Sequence, residues 1–103
     1  MIQNAELEIR ETLPFQRWFE SLRDSRARAR INIRLHRLRS GYLGDVKSVA
    51  SGVSELRIHY GPGYRVYFCM RAGHLVLLLA GGDKASQAQD IRNAIALAKK
   101  FKE

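Results

Sequence analysis

The stretch SELRIHYGPGYRVYF, residues 54–68, decides the fold. Two runs that alternate apolar and polar residues flank Gly61-Pro62-Gly63, the pattern of two antiparallel strands joined by a tight turn. In the first run Leu56, Ile58 and Tyr60 share one face, with Glu55, Arg57 and His59 opposite. In the second, Tyr64, Val66, Phe68 and Met70 share one face, and Arg65, Tyr67, Cys69 and Arg71 the other. The apolar sets should face helices. The opposite face then presents Arg57, His59, Arg65, Tyr67 and Arg71 together. Neighbouring cations on a sheet repel, so this face calls for a ligand or a counter-charge. The competing reading of Arg57 is a cross-strand partner for a carboxylate such as Glu55 or Glu8.

Outward from this hairpin the chain reads as an α+β fold in the order β-α-α-β-β-β-α. Strands are expected over 53–60, 64–72 and 74–81, the last (HLVLLLAG) apolar without alternation, as suits a strand covered on both faces. Upstream, residues 4–12 alternate, with Leu7 and Ile9 on one face, and give a fourth strand. The expected sheet is therefore four-stranded and mainly antiparallel. Pro14 suits a first helical turn, and Phe15, Trp18, Phe19 and Leu22 follow at helical spacing. A second helix over 25–40 places Ala27, Ile31, Leu35 and Leu38 on one stripe and stops at Gly41. The two helices should form a hairpin on one sheet face. Residues 41–53, rich in Gly and small polar residues, read as a loop. GGDKAS precedes a last helix from about Ser86 to Phe101, with Ile91, Ala94, Ile95 and Ala98 inward. No repeat or linker divides the sequence, so residues 1–103 read as one domain.

Charge narrows the function. The chain carries 18 Lys+Arg against 10 Asp+Glu, a formal charge of +8. This biases it toward a polyanion or an acidic protein partner; the alternative is an excess that serves solubility. Residues 23–39 hold seven arginines (23, 26, 28, 30, 34, 37 and 39) against one acid, Asp24. Like charges three and four apart repel by a few tenths of a kcal/mol (about 0.2–0.5) per pair, a cost that phosphate contacts by Arg26, Arg30, Arg34 and Arg37 would offset. An ordinary solvated face is the competing reading. Lys47, Tyr67 and Arg71 extend the candidate RNA-binding set, Tyr67 as a surface on which unpaired bases could stack.

A single cysteine, Cys69, excludes an internal disulfide and a Cys-based zinc site. His36, His59 and His74 lack metal-ligand spacing. No metal or other cofactor is expected. MIQNAELEIRETLP lacks a basic n-region and an apolar h-region, and LVLLLA (75–80) is too short to span a bilayer. The expectation is a cytoplasmic protein with no membrane partner.

GDVKSV, ELRIHYGPGYRVYF and GGDK, in that order behind a basic helical hairpin, resemble the RelE/ParE toxin superfamily. The likeness is greatest to its HigB-like, phage-derived "addiction module killer protein" branch. The resemblance implies the toxin of a type II toxin–antitoxin module, a ribosome-dependent, metal-independent mRNA endoribonuclease in which the RNA 2′-hydroxyl attacks the adjacent phosphate. It also implies a cognate antitoxin, a helix-turn-helix protein in this branch, with operator DNA met only through that complex. By the same resemblance the arginine of the GYR strand falls on Arg65, the basic residue of the preceding strand on Arg57, and the basic residue after the last strand on Lys84. The tyrosine that RelE carries near the start of the last helix has no counterpart here, where Gln87 and Asp90 lie. His59 and Asp90 are then the candidates for the proton-transfer role. Lys84 and Asp83 could instead cap the last helix. The other half of the superfamily, ParE-like inhibitors of DNA gyrase, offers a non-enzymatic alternative. A third reading is a degenerate copy that only binds its antitoxin.

Overall fold

The computed structural model describes residues 6–101. The first two residues of the expected strand 4–12, and the start of the stretch read as leaderless, lie outside them. The element order is β1 (Glu8–Glu11), α1 (Leu13–Ser21), α2 (Ser25–Arg39), β2 (Val46–Ala50), β3 (Val53–Ile58), β4 (Tyr64–Arg71), β5 (Leu75–Gly82) and α3 (Gln87–Lys100). The expected α+β class holds, but the sheet has five strands in the order β1-β5-β4-β3-β2. The extra strand is β2, in the stretch read as a loop. VKSVA is short and lies between glycines, and its antiparallel pairing with β3 comes from the neighbour rather than from its own pattern. Three strand pairs are antiparallel, while β1 runs parallel to β5.

The first two helices start where the sequence supplies a side-chain partner for their free N–H groups. The Asp24 carboxylate accepts from the Arg26 and Ala27 amides at the head of α2. Buried Thr12 caps α1 and also donates its hydroxyl to the Leu78 and Leu79 carbonyls, at 2.8 and 3.1 Å. That bond seats the start of α1 on β5. The predicted stripe Ala27, Ile31, Leu35 and Leu38 is buried. It joins Phe15, Leu56, Ile58, Val66, Phe68, Val76 and Leu78 in one core on the α1–α2 face of the sheet. Full burial of a side chain such as Leu56 contributes about 1.5–3 kcal/mol.

The second face overturns an expectation. The face read as open, carrying Arg57, Arg65, Tyr67 and Arg71, is covered by α3. Val53, Tyr67, Cys69, Leu77 and Leu79 pack there against Ala94 and Ala98, so the protein is a three-layer sandwich with a core on each side of the sheet. Alternation reports which residues share a face, not whether that face meets water. α3 had no assigned surface until it packed here.

Two glycines at the end of β5 set how closely the layers approach. A Cβ on Gly81 would fall inside the Trp18 ring of α1, and a Cβ on Gly82 would fall on the Asp90 carboxylate of α3. A one-residue bulge in β5, between Leu78 and Ala80, leaves Gly82 directly opposite Arg65. Asp90 thereby enters the space beside that arginine.

Candidate functional site

On the α3 face Arg57 and Arg65 stand directly opposite each other on β3 and β4, and Glu55 stands opposite Tyr67. Two adjacent guanidinium groups need a counter-charge, and Glu55 supplies it. Its side chain is fully buried, yet four donors converge on it. Arg57 Nε donates to one carboxylate oxygen at 3.0 Å. The Tyr67 hydroxyl and the Gln87 amide donate to the other, at 3.0 and 2.7 Å. Arg65 Nε lies 3.4 Å from that same oxygen. Burial pushes the Glu55 carboxyl upward, but the bonds from Arg57, Gln87 and Tyr67 and the Arg65 charge outweigh it, so the group stays below its ordinary value and ionised.

The arginines differ in how they are held. Arg65 donates Nη1 to the Gly63 carbonyl at 2.7 Å, while its buried Nε makes no hydrogen bond among the described residues. Arg57 is more open, its side chain 29% exposed against 13% for Arg65. Lys84 is exposed and completes the group. The space that a Gly63 Cβ would occupy is bounded by Arg65 Nη1 at 3.2 Å and by Lys84 Cβ at 3.7 Å. The Lys84 amide also bonds the Pro62 carbonyl, which ties the GGDK turn to the Gly-Pro-Gly turn. Asp83 orders that turn by accepting from the Ala85 and Ser86 amides, as suits its residue type. Asp90, one turn into α3, accepts a hydrogen bond from Ser86. Three cations around one buried anion leave the end of the hairpin net positive, with a half-buried carboxylate beside Arg65. Such a charge arrangement suits a phosphate-like group, with a carboxylate placed where it could exchange a proton with a ligand.

Other expected residues do not join it. Tyr67 is buried, and desolvation together with its bond to Glu55 raises its hydroxyl far above the ordinary tyrosine value; it cannot stack on a base. Arg71 serves as the C-terminal clamp of α3, bonding the Ala98 and Phe101 carbonyls. His59 follows the end of β3, turns away from Arg65 and pairs with Asp45 beside α2. Lys47 is exposed on β2 opposite Glu55. On α2 the set divides. Arg34 is spent on the Leu43, Asp45 and Arg57 carbonyls and pins the loop before β2. Arg30 lies over the Tyr60 ring, 4.6 Å from its centre. Arg26 and Arg37 are exposed. Arg30, Arg34, Arg37 and His59 line a 350 Å³ cavity with Ile33 and Ile58.

Sequence reasoning set Arg57 and Arg65 on neighbouring strands and offered Glu55 as a partner of Arg57, and the structure agrees on both. It missed that Glu55 also faces Arg65 and that Tyr67 and Gln87 bond the same carboxylate. The signal was present: Glu55 sits two residues before Arg57 on one strand face, with Arg65 expected on the neighbouring strand. Among the described residues no three His, Cys, Asp or Glu side chains gather to hold a metal ion, and no helix is long and apolar enough to cross a membrane.

Comparison with known proteins adds two findings. Residues 17–103 match the family described as phage derived protein Gp49-like (DUF891). An uncharacterized protein of Haemophilus influenzae is 49% identical over 95 residues, which span 92% of this chain and 96% of that protein.

Proposed function

The chain belongs to the phage-derived Gp49-like family, and from that premise we propose that it is the toxin of a type II toxin–antitoxin module, a metal-independent endoribonuclease that cleaves mRNA on the ribosome. The observation that carries this reading is the opposed pair Arg57 and Arg65, anchored on buried Glu55 with Lys84 on the adjoining turn. In this reaction the 2′-hydroxyl of one nucleotide attacks the neighbouring phosphate. The P–O bond to the next nucleotide breaks, leaving a cyclic phosphate and a free 5′-hydroxyl. Negative charge grows on the phosphate oxygens in the transition state, where fixed guanidinium groups stabilise it most. Asp90, held by Ser86 beside Arg65, takes the 2′-hydroxyl proton, and Lys84 gives a proton to the leaving oxygen. His59, paired with Asp45 away from the pair, is dropped from this role. Arg26 and Arg37 on α2 contact ribosomal or messenger phosphates. The partner is a helix-turn-helix antitoxin whose carboxylates meet these cations, so complex formation should weaken with salt. Operator DNA is met only through that complex.

A second reading, a non-enzymatic inhibitor of DNA gyrase, draws on one observation: His59 is paired with Asp45 and the Tyr67 hydroxyl is taken up by Glu55, so neither serves proton transfer and only Asp90 and Lys84 are left for it. Induced expression without antitoxin, wild type beside Arg65→Ala, separates the two. Growth arrest with new mRNA 5′ ends inside codons, both lost in Arg65→Ala, is the expected result. Arrest with intact transcripts and a DNA-damage response would establish the gyrase reading instead.

A further inference from the structure

We propose that Glu55 is the positioning residue of the phosphate site, gripping Arg57 and Arg65 by their Nε edges so that their outer nitrogens meet one phosphodiester group already aligned. This rests on the nuclease reading above.

Burying a carboxylate carries a large desolvation penalty, and replacing a buried ionic cluster by apolar residues is often neutral or stabilising. A strand that had only to fill this place beneath α3 has no need of a glutamate. The geometry shows what the glutamate does. Arg57 Nε takes one oxygen at 3.0 Å, and the Arg65 Nε approaches the other at 3.4 Å. Glu55 thus holds Arg57 by a hydrogen bond and Arg65 by an ion pair, both on the Nε side. Among the described residues no acceptor holds the outer nitrogens of Arg57, and Arg65 uses only Nη1, on Gly63. A free arginine side chain samples many rotamers, and Glu55 removes much of that freedom before any ligand arrives.

Gln87 and Tyr67 position Glu55 in turn. They occupy the oxygen that Arg65 faces, which holds the carboxylate in its plane. Gln87 is the first residue of α3, so the seating of α3 on the sheet is read directly by the arginine pair. Glu55 touches no reacting atom in this scheme.

The test compares wild type with Glu55→Gln, which keeps the shape and removes the charge, in two measurements. The first is the ¹⁵N–¹H spectrum of arginine Nε groups at pH 6. Arg57 and Arg65 should give protected signals in wild type that are lost in Glu55→Gln, while Arg71, clamped on α3 carbonyls, keeps its signal as an internal reference. The second is cleavage of mRNA on programmed ribosomes, normalised to folded protein. The turnover number should fall by about 10²-fold with KM changed less than threefold, the signature of misplaced rather than missing groups. Unchanged arginine signals, or wild-type turnover per folded molecule, would overturn the assignment. A wild type that cleaves nothing, with the arginine signals still lost in Glu55→Gln, would overturn the nuclease reading and leave the positioning role standing. Should Glu55→Gln fail to fold, Gln87→Ala decides: reduced protection of both arginine signals supports the scheme, and unchanged protection refutes it.

Discussion

Gly81→Ala is the sharpest test of how the layers fit together. Gly81 does not have a left-handed backbone, so alanine meets no conformational penalty there. The obstacle is steric: its Cβ would lie within the Trp18 ring, and either the ring or α1 must shift. Forcing a methyl group into a packed interior costs about 1–3 kcal/mol. A Cβ inside the ring calls for the upper half of that range, about 2–3 kcal/mol, and the lower entropy of the unfolded alanine chain offsets about 0.4–1 kcal/mol of it. A net loss of about 1–2.5 kcal/mol remains, or a fall of roughly 5–20 °C in Tm for a domain of this size. Trp18 is the only tryptophan, so its fluorescence reports on the contact itself. Gly81→Ala should both lower Tm and change the emission maximum. Gly52→Ala is the control: it has open space but a φ of +80°, so it should lose about 1 kcal/mol through backbone strain with emission unchanged. Combining Gly81→Ala with Trp18→Leu should recover most of the loss, because the two side chains share one space. Gly81→Ala within 0.5 kcal/mol of wild type (about the noise of surface changes) and with unaltered emission would refute the close approach.

Two further outcomes separate structural cations from functional ones. Arg71→Ala should cost about 0.5–1.5 kcal/mol by freeing the last carbonyls of α3, and leave RNA affinity unchanged in a filter-binding assay; a clear loss of affinity per folded molecule would return Arg71 to the binding surface. The second outcome concerns acid. Glu55 is held below its ordinary value of 4.5, so its contribution to stability is complete above that pH and disappears as pH falls through the lowered folded value. Denaturant midpoints measured from pH 7 down to about 3 should decline less steeply in Glu55→Gln than in wild type, because the other carboxylates titrate in both. Parallel curves would show that Glu55 is not ionised by its partners.

The parts of the fold that were legible are those in which local pattern and tertiary context agree. The stripe of α2 is buried residue for residue, and the Gly-Pro-Gly hairpin forms with Arg57 and Arg65 opposed. What was not legible depended on distant partners. β2 is recruited by β3, and the parallel pairing of β1 with β5 joins segments more than 60 residues apart. The open polar face failed for a more instructive reason. Arg57, Arg65 and Tyr67 look solvent-facing because they are polar, and Glu55 looks like surface for the same reason. Yet one carboxylate accepts hydrogen bonds from Arg57 and Tyr67 and faces Arg65 as an ion pair, and a partnered polar group can be buried. Only the position of α3 reveals this, and the small residues Ala94 and Ala98 that let it approach carry no sign of which surface they cover.

The same sorting changes what the charge excess means. Arg28, Arg34 and Arg71 each donate to backbone carbonyls, at Leu22, at Leu43, Asp45 and Arg57, and at Ala98 and Phe101. These guanidinium groups serve as mortar at helix ends and loops. The basic residues in the last turn of α2 also suit its negative end. A net charge of +8 therefore overstates the surface available to a polyanion. Two groups among the remaining cations concern the proposed site, Arg26 and Arg37 on exposed α2 and the Arg57–Arg65–Lys84 group beneath the N-terminus of α3, on opposite faces of the sheet. His59 and Asp45 lie beside the first, and the Gly61–Gly63 turn closes the second. A single RNA chain that touches both must pass around the end of β3 rather than across a flat face. On the proposed nuclease reading, a bent or unstacked strand can follow that path and a continuous duplex cannot, so cleavage should be confined to unpaired RNA.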